Sequence, residues 1–172
     1  GWFDAQNLYG AIQVFYHVKK DSSQTDNHIV MGPWYHGGWG GTTGENDGAI
    51  RFGQPTAEYF VKNVEQPFFD HYLKGASEPA TALATVFETG ANQWHQLQQW
   101  PPANATPAAF YLHADGKLSM DPPAAKEGAA YDEYVSDPAK PVPFMDVITL
   151  GMPEQYMIAD QRFAGRRTDV LV

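Results

Sequence analysis

Apolar residues recur at helical spacing near the start of the chain. Between residues 7 and 20, Leu8, Ala11, Ile12 and Phe15 fall on one helical face, which predicts an amphipathic helix. Two lysines close this stretch, where positive charge stabilises the carbonyl end of a helix. The polar run that follows predicts a turn.

A second helical pattern covers residues 56–74. Phe60, Val64 and Phe68 are spaced four apart, and Pro67 interrupts the pattern, so we expect a kink or two abutting helices. Gly75 follows the last turn, where a glycine commonly caps the C-terminal end.

Shorter apolar runs predict strands. The run HIVMG, at residues 28–32, leads into a Gly-Pro pair and predicts a buried strand before a loop. Residues 37–55 contain seven glycines and predict a long irregular loop. Beyond Gly75, four strand-like runs alternate with turns: ATVFETG, AAFYLHADG, DEYVSDP and TDVLV.

This change of pattern predicts a domain boundary between residues 75 and 82. We expect α/β structure in residues 1–78 and an all-β sandwich or jelly roll in residues 79–172. The chain starts inside an aromatic motif and stops in an apolar run. We therefore expect it to be a segment of a longer protein, since a strand needs partners for its backbone and its apolar face.

Composition narrows the classes of partner. The chain has 172 residues, of which 43% are hydrophobic and 14% aromatic, which is typical of a folded domain. Its net charge of −9 repels phosphate backbones, so we expect no nucleic-acid partner. No apolar run approaches the roughly 20 residues that cross a bilayer, so we expect no membrane partner.

Residue types also narrow the chemistry. Cysteine is absent, which excludes disulfides, zinc–thiolate sites and thiol nucleophiles. The histidines invite a metal interpretation, but His17, Asp26 and His28 do not fall on a ligand spacing. We therefore expect neither a metal nor another cofactor.

Two short motifs carry the candidate chemistry. Asp4 lies in GWFDAQNLYG, before the first predicted helix, and His36 lies in GPWYHGGW, after the first predicted strand. This order of loop acid, helix, strand and loop histidine matches the later part of an α/β-hydrolase, whose triad follows as Ser, Asp, His. In such a triad the carboxylate orients the imidazole, which accepts the serine proton.

Each of these residues also has an ordinary explanation. Asp4 could cap the first helix, and a histidine after a strand is often structural. The β-rich half offers a different function altogether, because jelly rolls also serve as lectins. In that alternative the chain is a non-catalytic binding module for a carbohydrate or protein partner, and Trp94 and Trp100 provide the stacking surface.

The chain offers no convincing nucleophile. Its five serines are Ser22, Ser23, Ser77, Ser119 and Ser136. Ser77 lies in GASEP, at residues 75–79, which comes nearest to a G-x-S-x-G elbow. This segment follows a predicted helix, has proline in place of the last glycine and comes after the histidine. We therefore expect this segment alone to be catalytically inactive.

At these residues the sequence resembles the cocaine esterase and α-amino acid ester hydrolase family, which includes glutaryl acylase-like and X-Pro dipeptidyl peptidase-like serine hydrolases. Residues 1–4 match the family's G-W-[FY]-D acid motif, and residues 32–36 match its G-P-W-x-H histidine motif. Further resemblances follow in the family's order: PFFDHYLKG, TGANQWHQLQQWPP, YLHADGKLS, SDPAKPVP and DQRFAGRRTDVLV.

The resemblance implies the fold of the whole. Residues 1–78 would be the C-terminal part of an α/β-hydrolase catalytic domain, and residues 79–172 an incomplete, galactose-binding-like jelly roll. Asp4 would be the triad acid and His36 the general base. The nucleophilic serine, the oxyanion tyrosine and a helical cap would precede residue 1.

The resemblance also implies an activity and its partners. We expect cleavage of an ester or amide bond through an acyl-enzyme, with a small ester, an amide or a short peptide as substrate. The aromatic neighbours Trp2 and Tyr35 are candidates for substrate contacts. The rest of the same polypeptide is the expected protein partner, a homo-oligomer is possible, and a periplasmic or secreted location is favoured over the cytoplasm.

Overall fold

The computed structural model describes residues 1–79, 81–124, 131–150 and 154–171. Its helices are α1 (Leu8–Asp21), α2 (Gly38–Gly41), α3 (Thr56–Phe60), α4 (Gln66–Lys74) and α5 (Arg162–Gly165). Its strands are β1 (Ile29–Met31), β2 (Asn46–Asp47), β3 (Ile50–Arg51), β4 (Ala84–Glu88), β5 (Gln93–Leu97), β6 (Tyr111–His113) and β7 (Lys117–Ser119). Helices and mixed sheets together confirm the α/β class predicted for the first part of the chain.

One mixed sheet organises the first part of the chain. Its strand order is β1-β4-β5, with β1 parallel to β4 and β4 antiparallel to β5. Four of the five residues of β4 are buried, as expected of a central strand with neighbours on both sides. β5 is joined to β4 by a tight turn in which Gly90 and Asn92 adopt positive φ.

The core lies between α1 and this sheet. Phe15 on α1 is buried against residues of β1 and β4, namely Ile29, Met31, Ala84 and Val86. The predicted helix at residues 7–20 is therefore confirmed, and its apolar stripe faces the sheet as the periodicity requires. None of the described helices has the length and apolar character needed to cross a bilayer.

The helical pattern at residues 56–74 forms three consecutive segments. A π-helical turn, Val61–Glu65, separates α3 from α4, and Pro67 occupies the first turn of α4. The predicted interruption is therefore present, because a proline lacks the N–H that a continuous helix would need there. Gly75 ends α4 in the left-handed conformation, as predicted.

The predicted loop at residues 37–55 is largely irregular but contains short regular pieces. These are α2 and the two-residue strands β2 and β3, which pair antiparallel. The strand predicted at ATVFETG is β4, and the one at AAFYLHADG includes β6, which forms a hairpin with β7. β5 was not predicted, because only Trp94 and Leu97 interrupt its polar residues.

Two predicted strands are wrong. Residues 132–138, which include the run DEYVSDP, form no strand, and the described residues of TDVLV form turns and bends. Both runs lack a paired neighbour among the described residues, and a short apolar run alone does not make a strand. The helix α5 forms instead just before TDVLV.

The chain divides into two compact units after β5. The first contains Gly1–Ala103 with the 3-10 turn Glu154–Ile158, and the second contains the described residues of Asn104–Gly151 and Ala159–Val172. The sequence pattern places a boundary before β4. The structural division instead follows β5, because β4 pairs with β1 in the same sheet. The assignment of residues 79–172 to a separate domain stays a prediction.

Candidate active site

The two sequence motifs lie side by side at the end of β1. The backbone N–H of Trp2 donates to the Gly32 carbonyl at 2.8 Å, and that of Phe3 donates to the Trp34 carbonyl at 3.2 Å. At Gly1 a side-chain carbon would lie 1.9 Å from the same Trp34 carbonyl oxygen, so glycine permits this approach. The acid motif is thereby fixed against the histidine motif.

Asp4 is buried and held by backbone donors. Only 4% of its side chain is exposed, and its Oδ1 accepts hydrogen bonds from Gln6 N–H at 2.8 Å and Asn7 N–H at 2.9 Å. These donors lie in the turn immediately before α1, whose N-cap residue is Asn7 and whose start has no side-chain cap hydrogen bond. The interpretation of Asp4 as the N-cap of this helix is therefore wrong, and its carboxylate instead fixes the turn that leads into α1.

Burial and hydrogen bonding shift the pKa of Asp4 in opposite directions. Burial raises the pKa of its carboxyl, but hydrogen bonds from Asn7, Gln6 and His36, with the nearby imidazole charge, together lower it below its ordinary value. The carboxylate is therefore ionised at neutral pH and acts as an acceptor.

The structure brings His36 onto this carboxylate. Its Nδ1 lies 3.1 Å from both Asp4 oxygens. An ionised carboxylate only accepts, so Nδ1 donates. In the neutral ring, Nε2 then carries the lone pair at the opposite edge. The His36 side chain is 48% exposed, in contrast to its buried partner.

Residues 34–44, here termed the histidine loop, carry the ring. The backbone turns directly after His36, where Gly37 has a φ of 81° and precedes α2. Trp39 on α2 meets the imidazole edge-on, with ring centroids 6.4 Å apart. The tryptophan thus limits the ring's movement on one side.

Trp34 anchors the start of the histidine loop in an aromatic cluster. It is buried, and its ring lies 5.4 Å from that of Phe60, 5.9 Å from Trp94 and 6.4 Å from Trp39 between centroids. Its Nε1–H donates to the hydroxyl of Thr56 at 2.9 Å. The start of the loop is consequently fixed by aromatic packing and by a hydrogen bond.

The two aromatic candidates for substrate contacts differ in their surroundings. The Trp2 indole donates to the Phe87 carbonyl at 2.8 Å and packs against Trp100, with centroids 6.4 Å apart. Tyr35 is partly buried and immediately precedes His36. The contacts of Trp2 are those of a packing residue, and a substrate role for either side chain stays a prediction.

The tryptophans of the alternative binding function also take part in packing. Trp94 stacks on Tyr59 with centroids 4.8 Å apart and meets Phe87 edge-on at 5.2 Å. Trp100 is partly buried against the core and Trp2. These contacts occupy faces that sugar stacking would need.

The serines of the first unit do not complete a triad. Ser22 pairs with Thr25 through their hydroxyls at 2.6 Å, and Ser23 and Ser77 are exposed. Neither Ser22, Ser23 nor Ser77 is hydrogen-bonded to His36. In the second unit, Ser119 lies 3.2 Å from His113 Nε2, but its hydroxyl also bonds to the backbone of Asp121 in a local turn.

No cation site is formed by clustered carboxylates and imidazoles within the described residues. His28, considered above for a metal, instead lies with Nε2 2.6 Å from Asp26 and Nδ1 2.8 Å from the Ala82 carbonyl. Both ring nitrogens are thus occupied by protein oxygens.

Comparisons with known proteins point to one group of hydrolases. No protein-family model matches the chain. Cocaine esterase from Rhodococcus sp. (strain MB1 Bresler) is 27% identical over 179 residues, covering 99% of this chain and 30% of that protein. A solved aminopeptidase from a marine sediment Thaumarchaeota archaeon is 39% identical, with a TM-score of 0.88 over 99% of this chain.

A solved α-amino acid ester hydrolase is similar to the same degree. It is 39% identical, with a TM-score of 0.83 over 98% of this chain. The chain is thus similar to proteins of the cocaine esterase and α-amino acid ester hydrolase family. It spans 30% of cocaine esterase and 29% of each of the two solved chains, and so corresponds to a segment of these family members.

These similarities confirm the resemblance seen in the sequence motifs. The sequence motifs point to Asp4 and His36 but not to the residues that support them, above all Thr56 and Gly44. A threonine after a proline at the start of a helix is unremarkable in sequence. The only available signal was the seven glycines of residues 37–55, which indicated a special backbone without indicating what holds it.

Proposed function

We propose that this chain is the acid-and-base segment of a serine hydrolase that cleaves ester or amide bonds through an acyl-enzyme. The observation that carries the proposal is the His36 Nδ1 contact with the buried Asp4 carboxylate, which leaves Nε2 of a half-exposed ring available. Its family relatives support the bond class, since their names are those of an esterase, an ester hydrolase and an aminopeptidase.

In this proposal His36 moves the proton and Asp4 orients the ring. Nε2 accepts the proton of a serine hydroxyl as its oxygen bonds to the substrate carbonyl carbon. The imidazolium, stabilised by Asp4, then gives that proton to the departing alcohol or amine as the carbonyl–heteroatom bond breaks. Water then gives a proton to Nε2 as its oxygen bonds to the acyl carbon, and the imidazolium returns that proton to the serine oxygen as the acyl–serine bond breaks.

The serine itself comes from the polypeptide before residue 1 in this proposal. Residues 1–78 then complete an α/β-hydrolase domain, and residues 79–172 contribute part of a jelly roll. The substrate is a small ester, an amide or a short peptide. The segment alone is inactive because it lacks the nucleophile.

Covalent trapping tests the serine directly. The full-length protein is treated with a fluorophosphonate, which forms a phosphonyl ester with an activated serine, and the labelled peptide is sequenced by mass spectrometry. We expect a single modified serine upstream of residue 1, with labelling greatly slowed in His36→Ala. His17→Ala, whose side chain is 67% exposed on α1, is the matched control and should label normally.

Two results would count against the proposal. Absence of any labelled serine in an active full-length protein would exclude the serine mechanism. Equal labelling rates in the parent and His36→Ala would show that His36 does not activate the nucleophile.

A further inference from the structure

One buried hydroxyl joins both ends of the histidine loop. Thr56, at the start of α3, has no exposed surface. Its Oγ1 accepts a hydrogen bond from Trp34 Nε1–H at 2.9 Å and donates one to the Gly44 carbonyl at 2.6 Å. Trp34 and Gly44 are the first and last residues of that loop, so a single side chain closes it.

The backbone around Gly44 is built for this contact. Gly44 has a φ of +71°, and a side-chain carbon there would lie 2.5 Å from both the Ala57 nitrogen and Thr56 Oγ1. The Ala57 N–H also donates to the Thr43 carbonyl at 3.0 Å. The end of the loop is therefore seated on the first turn of α3, at a distance only glycine allows.

Trp34 also links this loop closure to Asp4 and His36. The Trp34 carbonyl accepts the Phe3 N–H, next to Asp4, while the Trp34 ring is held by Thr56. His36 lies two residues beyond Trp34, with its Nδ1 on Asp4. The position of Trp34 thus sets the spacing between the acid motif and the imidazole.

We propose that Thr56 is a positioning residue for His36: its hydroxyl closes the histidine loop and so holds the imidazole on Asp4. The proposal rests on the proposed function of His36 as the general base. Thr56 acts only through Trp34 and Gly44 and does not take part in proton transfer. Its chemistry is specific, because the position needs one group that both accepts from an N–H and donates to a carbonyl.

Serine and valine separate the hydroxyl from the bulk of the side chain. Thr56→Val keeps the volume but leaves a buried indole N–H and a buried carbonyl without partners. Thr56→Ser keeps both hydrogen bonds and loses a methyl group. Trp34→Phe removes the donor from the opposite partner and leaves Thr56 in place. Phe15→Leu, in the core between α1 and the sheet, controls for a general loss of stability.

Kinetics of the full-length hydrolase form the first measurement. We expect Thr56→Val and Trp34→Phe to lower kcat about 10- to 100-fold with little change in KM, because a misplaced base affects the reacting geometry. Thr56→Ser should retain kcat within about 3-fold. Phe15→Leu, compared at equal distance below its own Tm, should retain the parent kcat.

The second measurement observes the imidazole without relying on activity. A ring Nδ1 proton donated to a carboxylate gives a downfield NMR signal, which assignment through His36→Ala identifies in the full-length protein. We expect this signal to broaden or vanish in Thr56→Val and Trp34→Phe, and to persist in Thr56→Ser and Phe15→Leu.

The outcomes separate this proposal from the proposed function. Unchanged kcat in His36→Ala would overturn the general-base function, while the Nδ1 signal would still test the loop closure. Parent-like kcat and an unchanged signal in Thr56→Val would overturn the positioning role. An equal loss of kcat in Phe15→Leu would also overturn it, since the effect would then be one of stability.

Discussion

Asp4 holds both the turn that precedes α1 and the imidazole of His36. Its carboxylate is removed from solvent, and two backbone N–H groups and one ring nitrogen surround it. Such a carboxylate resists protonation because each donor stabilises its charge. A half-exposed histidine is thereby oriented by a partner that stays ionised across the physiological pH range.

The lowered pKa of Asp4 predicts a pH-dependent contribution to stability. Its ionised form is favoured in the folded state, so the contribution is complete above the unfolded pKa of 3.8 and is lost as pH falls through the lower folded pKa. Asp4→Asn should lower the free energy of unfolding by about 1.5–3 kcal/mol at pH 7, the range for hydrogen bonds to charged groups.

Urea unfolding at pH 7, 5, 4 and 3 measures this difference. The gap between the parent and Asp4→Asn should stay constant from pH 7 to 5 and narrow below about pH 4. Asp21→Asn, whose side chain is 67% exposed, is the control and should cost less than about 0.5 kcal/mol. A gap that widens on acidification would contradict the sign of the shift.

Two buried indole groups provide a matched test of hydrogen bonding. Trp34 Nε1 has the Thr56 hydroxyl as its acceptor, whereas the buried Trp94 Nε1 has no acceptor within the described part of the chain. An unsatisfied buried donor costs about 1–3 kcal/mol. Trp34→Phe should therefore destabilise by about 1–3 kcal/mol more than Trp94→Phe in urea unfolding, and equal losses would contradict this account.

At the scale of elements, α1 depends on its apolar stripe. Phe15 is the one residue of this helix that is fully buried, and it packs on β1 and β4. Phe15→Ala should lower the free energy of unfolding by about 3–5 kcal/mol. Val14→Ala, at a neighbouring position that is 64% exposed, should change it by less than about 0.5 kcal/mol. Thermal and urea unfolding give both values, and similar losses would refute the proposed orientation.

Two glycines near the start of α3, one at the end of the histidine loop and one beyond it, form a matched pair. Gly44 and Gly53 both have a φ of +71°, but a side-chain carbon clashes with α3 only at Gly44 and meets open space at Gly53. Gly53→Ala should cost about 1–2 kcal/mol from left-handed strain alone. Gly44→Ala should cost clearly more, because α3 must move as well. Equal Tm shifts would show that the close approach of Gly44 to α3 does not add to the cost of the substitution.

The elements that the sequence predicted are those with strong local signals. The stripe of α1, the run of β4 and the cap at Gly75 each combine periodicity with a boundary residue. β5 has only weak alternation and forms because β4 presents a free edge. The runs DEYVSDP and TDVLV contain short apolar stretches but have no partner strand among the described residues, and such pairing is invisible to a local pattern.

In the candidate site, too, local sequence signals identify some residues, and contacts between distant residues identify others. Asp4 and His36 were found because their residue types and their places near a strand and a helix suit a triad. Thr56 and Gly44 were not found, because their importance comes from contacts across the chain. A hydroxyl that bridges positions 34 and 44 leaves no periodicity in the sequence.

At the scale of the molecule, exposed apolar side chains are numerous. Leu73, Leu112, Ile148 and Leu150 are largely or fully exposed, and exposed apolar surface promotes association. We expect the isolated 172-residue chain to bind a hydrophobic dye and to sediment as aggregates, and the full-length protein to do neither. A monodisperse isolated chain with a cooperative melt would contradict this expectation.

In the proposed function His36, oriented by Asp4, is the general base of an ester- or amide-cleaving hydrolase. The most direct test is kcat of the full-length protein with an activated ester, measured for the parent, His36→Ala and His17→Ala. We expect a loss of about 10⁴-fold or more in His36→Ala and parent-like turnover in His17→Ala. Turnover of His36→Ala within a few-fold of the parent would contradict it.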